Sequence, residues 1–575
     1  MPTSSNRMRA SDYESVEKAK TDQTLEPKDL AGAPRECEGS HYGTPSPALH
    51  GEYLDRNTFQ AYGLNAYGPV TQHFDAEDLA APPTRASFPP IGVSYAHDVP
   101  SGPGFGLTWS QASQALALFK VKMMPEFPFV VLERDVFAEQ LCYESPLLFR
   151  SIMLAAAPVT LAQRKEMKRS ISAYIGQRII VLEERDLDLL QGLLVFIAWG
   201  NHSFYLDRYI TNLIYLAVGL AHNLGITRLP PSCQQKVKQA VGAGDVDEAM
   251  RGRALTTVAE EFHTLEEMRA FLGCYYVLSV NSSQFCRQNS LQNDYMKYCL
   301  QYVTDSGDYW PDSYLVRMIR LQQVVDRISA TFPAGSESGV PVQSLMRGIQ
   351  PIHTQINEIC GNIEQGQVQN MTFWMKYNYV LVRLYEPATR LSTTVTGQNA
   401  LHRSQHLTSC LQAVKSFFTF LLSSTPADLL YRPFTCSAEL ITVTVTASRL
   451  LLLDVDGWDL DGARQTLDLV SIMDELIAAF DNASLLQKRR AVEPIEGGFL
   501  PKDNPDDEKE DVFIKYVHKI KWIKVWFQTQ LVARGLVPPS EPDVVLPDVW
   551  SLDENAGNQF WLGLVNGSTW GSFEF

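Results

Sequence analysis

Nine cysteines are scattered over the 575 residues, and no two stand as C-x2-C; the nearest pair, Cys274 and Cys286, is twelve apart. A compact thiolate zinc site has no local spacing to rest on. An odd number of thiols in a long chain reads as reduced, buried cysteine in an intracellular protein. The opening MPTSSNRMRASDYESVEKAK lacks the apolar stretch of a secretory signal, so the N-x-S/T triplets read as chance matches. No charge-free apolar run reaches the ~18–20 residues of a membrane span. The nearest, 189–221, is broken by Asn201, His202, Asp207 and Arg208.

Catalytic signatures are missing as well. There is no H-E-x-x-H, no Walker loop and no G-x-S-x-G; Gly335–Gly339 comes nearest, with Glu337 at its centre. Gly102, Gly104 and Gly106 alternate with no strand before them, which suits a lead-in to a helix better than a dinucleotide site. His202 and His222 sit in very apolar helical stretches, where a satisfied core or groove histidine is the simpler reading. Cys274, Cys286 and Cys299 read as structural thiols rather than zinc ligands.

Lys and Arg number 49 against 65 Asp and Glu, a net charge of −16. That balance disfavours a chain that coats nucleic acid by bulk charge. Two basic strings stand out locally, Lys488-Arg489-Arg490 and KYVHKIKWIKVW (515–526). The second fits a helix with Tyr516, Ile520, Ile523 and Phe527 inward and solvated lysines outward better than an import or nucleic-acid surface.

What is present is helical periodicity. Residues 1–107 are polar and rich in Pro, Gly, Ser and acids, the composition of a disordered tail or linker. From Trp109 onward apolar stripes recur at helical spacing. Ser110 and Ser145 are placed to cap the first helices, with Pro146 at a first helical position. Ile171, Ile175, Ile179 and Leu182 mark one helix face, and 187–199 is apolar nearly all round, as a buried helix is. Further helices are expected at 208–224, 262–282, 311–332, 349–365, 370–386, 401–423, 433–454, 462–482 and 510–534. The β-branched ITVTVTAS (441–448) could be strand, but its Leu-rich flanks favour helix.

The last segment, 538–575, has no Lys or Arg. It combines Glu541, Asp543, Asp548, Asp553, Glu554 and Glu574 with Trp550, Phe560, Trp561, Trp570, Phe573 and Phe575. Such a segment either orders against a partner's hydrophobic groove or packs back on its own protein.

The order of motifs supplies the functional lead. ALALFKVKMMPEFPFVVLERDVFAEQLCYESPLLFRSIMLAAA (115–157) carries Phe127-Pro128-Phe129 and Ser145-Pro146-Leu147-Leu148. DLDLLQGLLVFIAW (186–199), LIYLAVGLAHNLGITRLPP (213–231), LEEMRAFLGCYYVLSVNSSQFCRQNSL (265–291) and MKYNYVLVRLYEPA (375–388) follow. Together, over roughly 109–455, they resemble the fungal-specific transcription factor domain. That domain is the helical middle homology region of zinc-binuclear-cluster (Zn2Cys6) regulators. In the fourth block Glu266 or Glu267, Arg269, Phe271, Tyr275, Tyr276, Leu278 and Ser282 carry the likeness. Leu272-Gly273 stands where the family has two bulky aromatics, so that helix is expected to pack closely on a neighbour. The family's six-cysteine DNA reader is not in this sequence, since Cys37 alone precedes Cys142. The chain then reads as a reader-less paralogue or as the translation of a gene model that lacks its first exon.

The expectation is an all-α fold: residues 1–107 a disordered tail or linker, 108–535 one large helical regulatory domain, 536–575 an acidic aromatic tail. No catalytic, cofactor-binding or metal-binding residue is assigned, and zinc is expected only with an upstream six-cysteine motif. The resemblance implies a nuclear transcription regulator, not an enzyme, acting on a metabolic or biosynthetic gene cluster. Its partners would be transcription machinery or another transcription factor, with DNA reached indirectly or through an N-terminal module. A small-molecule effector is a further candidate, and no membrane is involved. The alternatives are an intracellular small-molecule-binding protein or pathway enzyme on a helical bundle, or an adaptor for a complete zinc-cluster factor.

Overall fold

Helix starts follow the local chemistry closely. Thr108 and Gln111 exchange side-chain and backbone bonds in a capping box, and helix α1 (Trp109–Leu118) begins there, two residues ahead of the expected Ser110. The same device opens α4 (Leu161–Ile175) from Thr160. Asp186 caps α5 (Leu187–Trp199) through the Leu189 N–H.

The computed structural model describes residues 102–200, 208–228, 263–284, 289–307, 309, 311–332, 342–361, 371–391, 397–491 and 511–536. Residues 1–101 and 537–575, most of the ends expected to be disordered, lie outside these residues, as do His202, Cys286 and Glu337, whereas Leu107, counted in the expected tail, is buried in the core with Phe105 packed against it. Every regular element among the described residues is helical. After α1 come α2 (Ala138–Glu144), α3 (Pro146–Ala156), α4, α5, α6 (Arg208–Asn223), α7 (Leu265–Gln284), α8 (Asp294–Ser306) and α9 (Asp312–Thr331). Then follow α10 (Val342–Cys360), α11 (Met371–Tyr385), α12 (Gln398–Leu422), α13 (Pro426–Tyr431), α14 (Thr435–Leu452), α15 (Leu460–Thr466), α16 (Leu469–Ala491) and α17 (Val512–Ala533).

The all-α expectation holds, with local corrections. The helix expected at 462–482 is two, α15 and α16, parted at Leu467-Asp468. The helix expected from 349 starts at Val342 and runs through Pro351. Helix α8 was not anticipated. A π-helical stretch, Gly176–Val181, continues α4 and shifts its phase. Ile171 and Ile175 are buried, Ile179 is half-buried, and Leu182 turns out to solvent.

Two helices form the centre. Helix α5 is buried from Leu189 to Trp199. Helix α14 packs against α7, α11, α12 and α17. It holds the ambiguous ITVTVTAS as helix, and the side chains explain how. Thr442, Thr444, Thr446 and Ser448 each donate their hydroxyl to the carbonyl four residues back, at 2.7–3.1 Å. Buried hydroxyls are thereby satisfied inside the helix, so an apolar environment tolerates them. By length and composition α14 could cross a membrane, but 89% of it is buried inside the bundle, as befits a core helix.

Candidate functional site

The motif blocks, far apart in sequence, meet in space. Phe127 lies 4.8 Å from Phe129, 5.7 Å from Trp199 and 6.4 Å from Tyr276, ring centre to ring centre. Phe129 stacks on Tyr276 at 5.2 Å. Gly273 makes room for it: a Cβ there would stand 2.8 Å from Phe129 Cβ and 3.1 Å from Leu194 Cδ1. The missing bulk in the fourth block thus gives the close packing expected of it.

The S-P-L-L start of α3 is capped from elsewhere. Ser145 makes no side-chain cap bond, contrary to expectation. The Leu147 and Leu148 N–H groups donate instead to Asp188 Oδ2 and Oδ1, at 3.1 and 2.8 Å. Asp188 sits in the first turn of α5, so the D-L-D-L sequence caps two helices at once. Burial pushes the Asp188 carboxyl up to about 6, against the pull of those two amides.

A polar chain runs through the middle of the body. Lys376, only 2% exposed, donates to Glu439 Oε1 at 2.8 Å and Gln322 Oε1 at 2.7 Å. Gln322 Nε2 donates to Ser279 Oγ at 2.9 Å, and Ser279 and Tyr275 both donate to Asp326. The Lys376 ammonium also lies 5.3 and 5.0 Å from the Tyr276 and Tyr379 rings. Burial works against its charge, yet Glu439 and the two tyrosines hold its pKa above the usual lysine value. Arg269 and Asp312 form a second buried pair, bidentate at 3.0 and 2.7 Å. Glu386, of the L-Y-E block, accepts from Arg390 and Arg449. Burial would raise its carboxyl, but these arginines and Arg383 keep it below the ordinary range. These bonds tie α7, α9, α11 and α14 into one unit.

A shallow cleft of about 80 Å³ opens between the ends of α3 and α5 on one side and α13, α16 and α17 on the other. Its walls are apolar and aromatic, including Trp199, Phe434, Phe513 and Tyr516. Trp199 Nε1 donates to the Tyr431 carbonyl at 2.9 Å and fixes the floor. Arg164, Arg432 and Arg490 converge on it. Arg164 donates to the Leu154 carbonyl, Arg490 to the Ala156 carbonyl, and Arg432 to Met375 Sδ and Ser424. Burial lowers the Arg164 guanidinium to about 10. Two carboxylates lie nearby. Asp511 accepts from Ser484 and from the first amides of α17 and attracts Arg164, while Glu126, bonded to Thr372 and drawn by Arg432, keeps its Oε2 without a partner. Two buried donors at the cleft, Arg164 Nε and Gln487 Nε2, have no partner.

The basic strings are absorbed in different ways. Arg490 lies over the Tyr431 ring at 5.8 Å. Lys519 is buried over Trp522 rather than solvated, correcting the outward-lysine expectation for α17, while Lys524 pairs with Asp474. Ile520, Ile523 and Phe527 face inward as expected. His222 is exposed, with Nδ1 2.9 Å from Thr227 Oγ1. Cys274 and Cys299 are buried thiols, each pushed up to about 12 by burial. Among the described residues no group of three or more His, Cys, Asp or Glu is arranged to hold a metal ion.

Comparison with known proteins gives the family of this all-helical body. The WAR1 C-terminal domain profile matches residues 103–452, and the chain belongs to that family. It is 25% identical over 404 residues to "Transcription factor opdL" of Penicillium oxalicum, covering 69% of this chain and 70% of the relative. It is 21% identical over 442 residues to "Transcription factor himD" of Aspergillus japonicus, covering 76% and 69%. To "Transcription factor pbcR" of Emericella nidulans it is 27% identical over 241 residues, covering 41% and 32%. No solved structure matches the chain. Its homologues are fungal transcription factors, and this is not an enzyme family.

Proposed function

We propose that this chain is the regulatory and activation half of a fungal zinc-cluster-type transcription factor and works in the nucleus. Residues 108–535 form the regulatory body and 536–575 the activating tail. One observation carries the reading: the motif blocks of the resemblance converge on a single interlocked core, built to hold a shape. Family membership over 103–452 supports it, as do relatives named as transcription factors. The partners are transcription machinery or another transcription factor, and DNA is reached through a module outside this sequence or through that partner. Zinc belongs to such a module. The target is a metabolic or biosynthetic gene cluster.

The body acts by changing the availability of the tail. Any effector that drives the change must bind two packings of the bundle unequally. The test fuses residues 538–575 to a foreign DNA-binding domain before a reporter. Activation is the expected result, reduced when the six aromatic residues are replaced by alanine. A silent fusion removes the tail from the mechanism. Purified 1–575 is expected to bind DNA weakly and with strong salt dependence, and a tight sequence-selective footprint would overturn the reading.

A further inference from the structure

We propose that the arginine-lined cleft is the docking site of this chain's own acidic aromatic segment, centred on Asp548–Glu554. The inference rests on the proposed function for its meaning but on the cleft for its geometry.

The cleft's size decides the kind of occupant. At about 80 Å³ it is far smaller than the ~300–1,000 Å³ of a small-molecule site, and suits the side chains of a peptide laid across it. Its chemistry is equally selective. Arg164, Arg432 and Arg490 bond carbonyls, sulfur and a hydroxyl; Asp511 and Glu126 attract Arg164 and Arg432 from nearby without bonding them, and Arg490 bonds only a carbonyl. Arg164 Nε and Gln487 Nε2 present buried N–H groups with no acceptor, a condition that a carboxylate would relieve. Trp199, Phe434, Phe513 and Tyr516 offer ring surface beside those donors.

Residues 548–554 read D-V-W-S-L-D-E, in a segment from 538 to 575 with six acids and no base. Asp548, Asp553 and Glu554 bracket Trp550 and Leu552, so an apolar pair is flanked on both sides by carboxylates that the cleft's arginines can meet. Reach is sufficient. The last described residue, Leu536, follows the C-terminal end of α17, whose other end borders the cleft. The 22 residues of that helix span about 33 Å, and the fourteen residues from Leu536 to Trp550 extend up to about 46 Å.

The test uses the full chain with a benzoylphenylalanine photo-cross-linker at position 550. Irradiation is expected to link it, within one molecule, to peptides holding Tyr431 or Arg490. The yield should fall at least about five-fold in the triple variant Asp548→Asn, Asp553→Asn, Glu554→Gln and in Arg490→Glu, with unchanged far-UV circular dichroism. Cross-links scattered over other surfaces, or a yield unchanged in the triple variant, overturn the proposal. So do links between molecules whose yield rises with protein concentration. The two readings fail separately. A cross-linked tail that does not activate the reporter is a structural arm in its cleft, and an activating tail without the cross-link leaves the function standing and the docking site refuted.

Discussion

Lys376 and Arg490 are both basic side chains set against tyrosine rings, yet the bundle treats them in opposite ways. Lys376 has a carboxylate, an amide oxygen and two rings around it, deep between four helices. Arg490 touches one ring and one backbone carbonyl at the rim of a cleft. A buried charge paired with a carboxylate holds helices in register, and its removal strands the partner in a medium that cannot solvate it. A cation bonded only to neutral groups keeps its field directed outward, where an acidic ligand feels it. The centre of the body is therefore organised to stay fixed, and the rim to receive.

The strongest way to break this contrast is Lys376→Ala. Glu439 would be left buried without a cation, at a cost of about 3–5 kcal/mol read from urea unfolding. The double variant Lys376→Met, Glu439→Leu should recover most of it, because the loss comes from the orphaned charge. A double variant as unstable as the single would show that the ammonium's other contacts dominate.

Asp188 sits between the two extremes, since α3 carries the cleft wall at its far end. Asp188→Ala removes two caps and is expected to cost about 1–2 kcal/mol, with faster amide exchange at Leu147 and Leu148. Its pH signature has a definite sign. The carboxyl titrates near 3.8 when exposed and is raised to about 6 in the folded chain. Between those values the folded form holds a proton that the unfolded form has lost, so this group's contribution to stability falls as pH rises through that window. The slope should vanish in Asp188→Asn. Persistence of the slope would move its origin to another group.

Arg490→Ala should do least, below about 1 kcal/mol in unfolding, because its partners can be re-satisfied by water at the rim. A larger loss would mean that the arginine holds the body together and is not poised for a ligand.

Helix α5 and the placement of α14 as a helix were legible because apolar period and flanks agree. Lys376 and Glu439 were legible only in outline. Lys376 lies three residues from Phe373 and from Tyr379, on an apolar face, and Glu439 is the one acid of a helix otherwise made of apolar residues, small hydroxyls and Arg449. Each position announces a need for a partner without naming it. The π-helical turn after Ile175 could not be read, because one inserted residue moves Leu182 off a stripe that the sequence spaces correctly. Ser145 looked like a cap because local spacing cannot reveal that Asp188, forty residues on, arrives at the same amides.

The sequence by itself determined that this is a helical protein, where most helices lie, and which motif order relates it to fungal regulators, since period, caps and motifs are local properties. The tertiary structure alone decided which buried charges find partners and that Arg164 of α4, Arg490 of α16 and Arg432 of the turn after α13 share one cleft. Those outcomes depend on distances between residues that the chain brings together only when it folds.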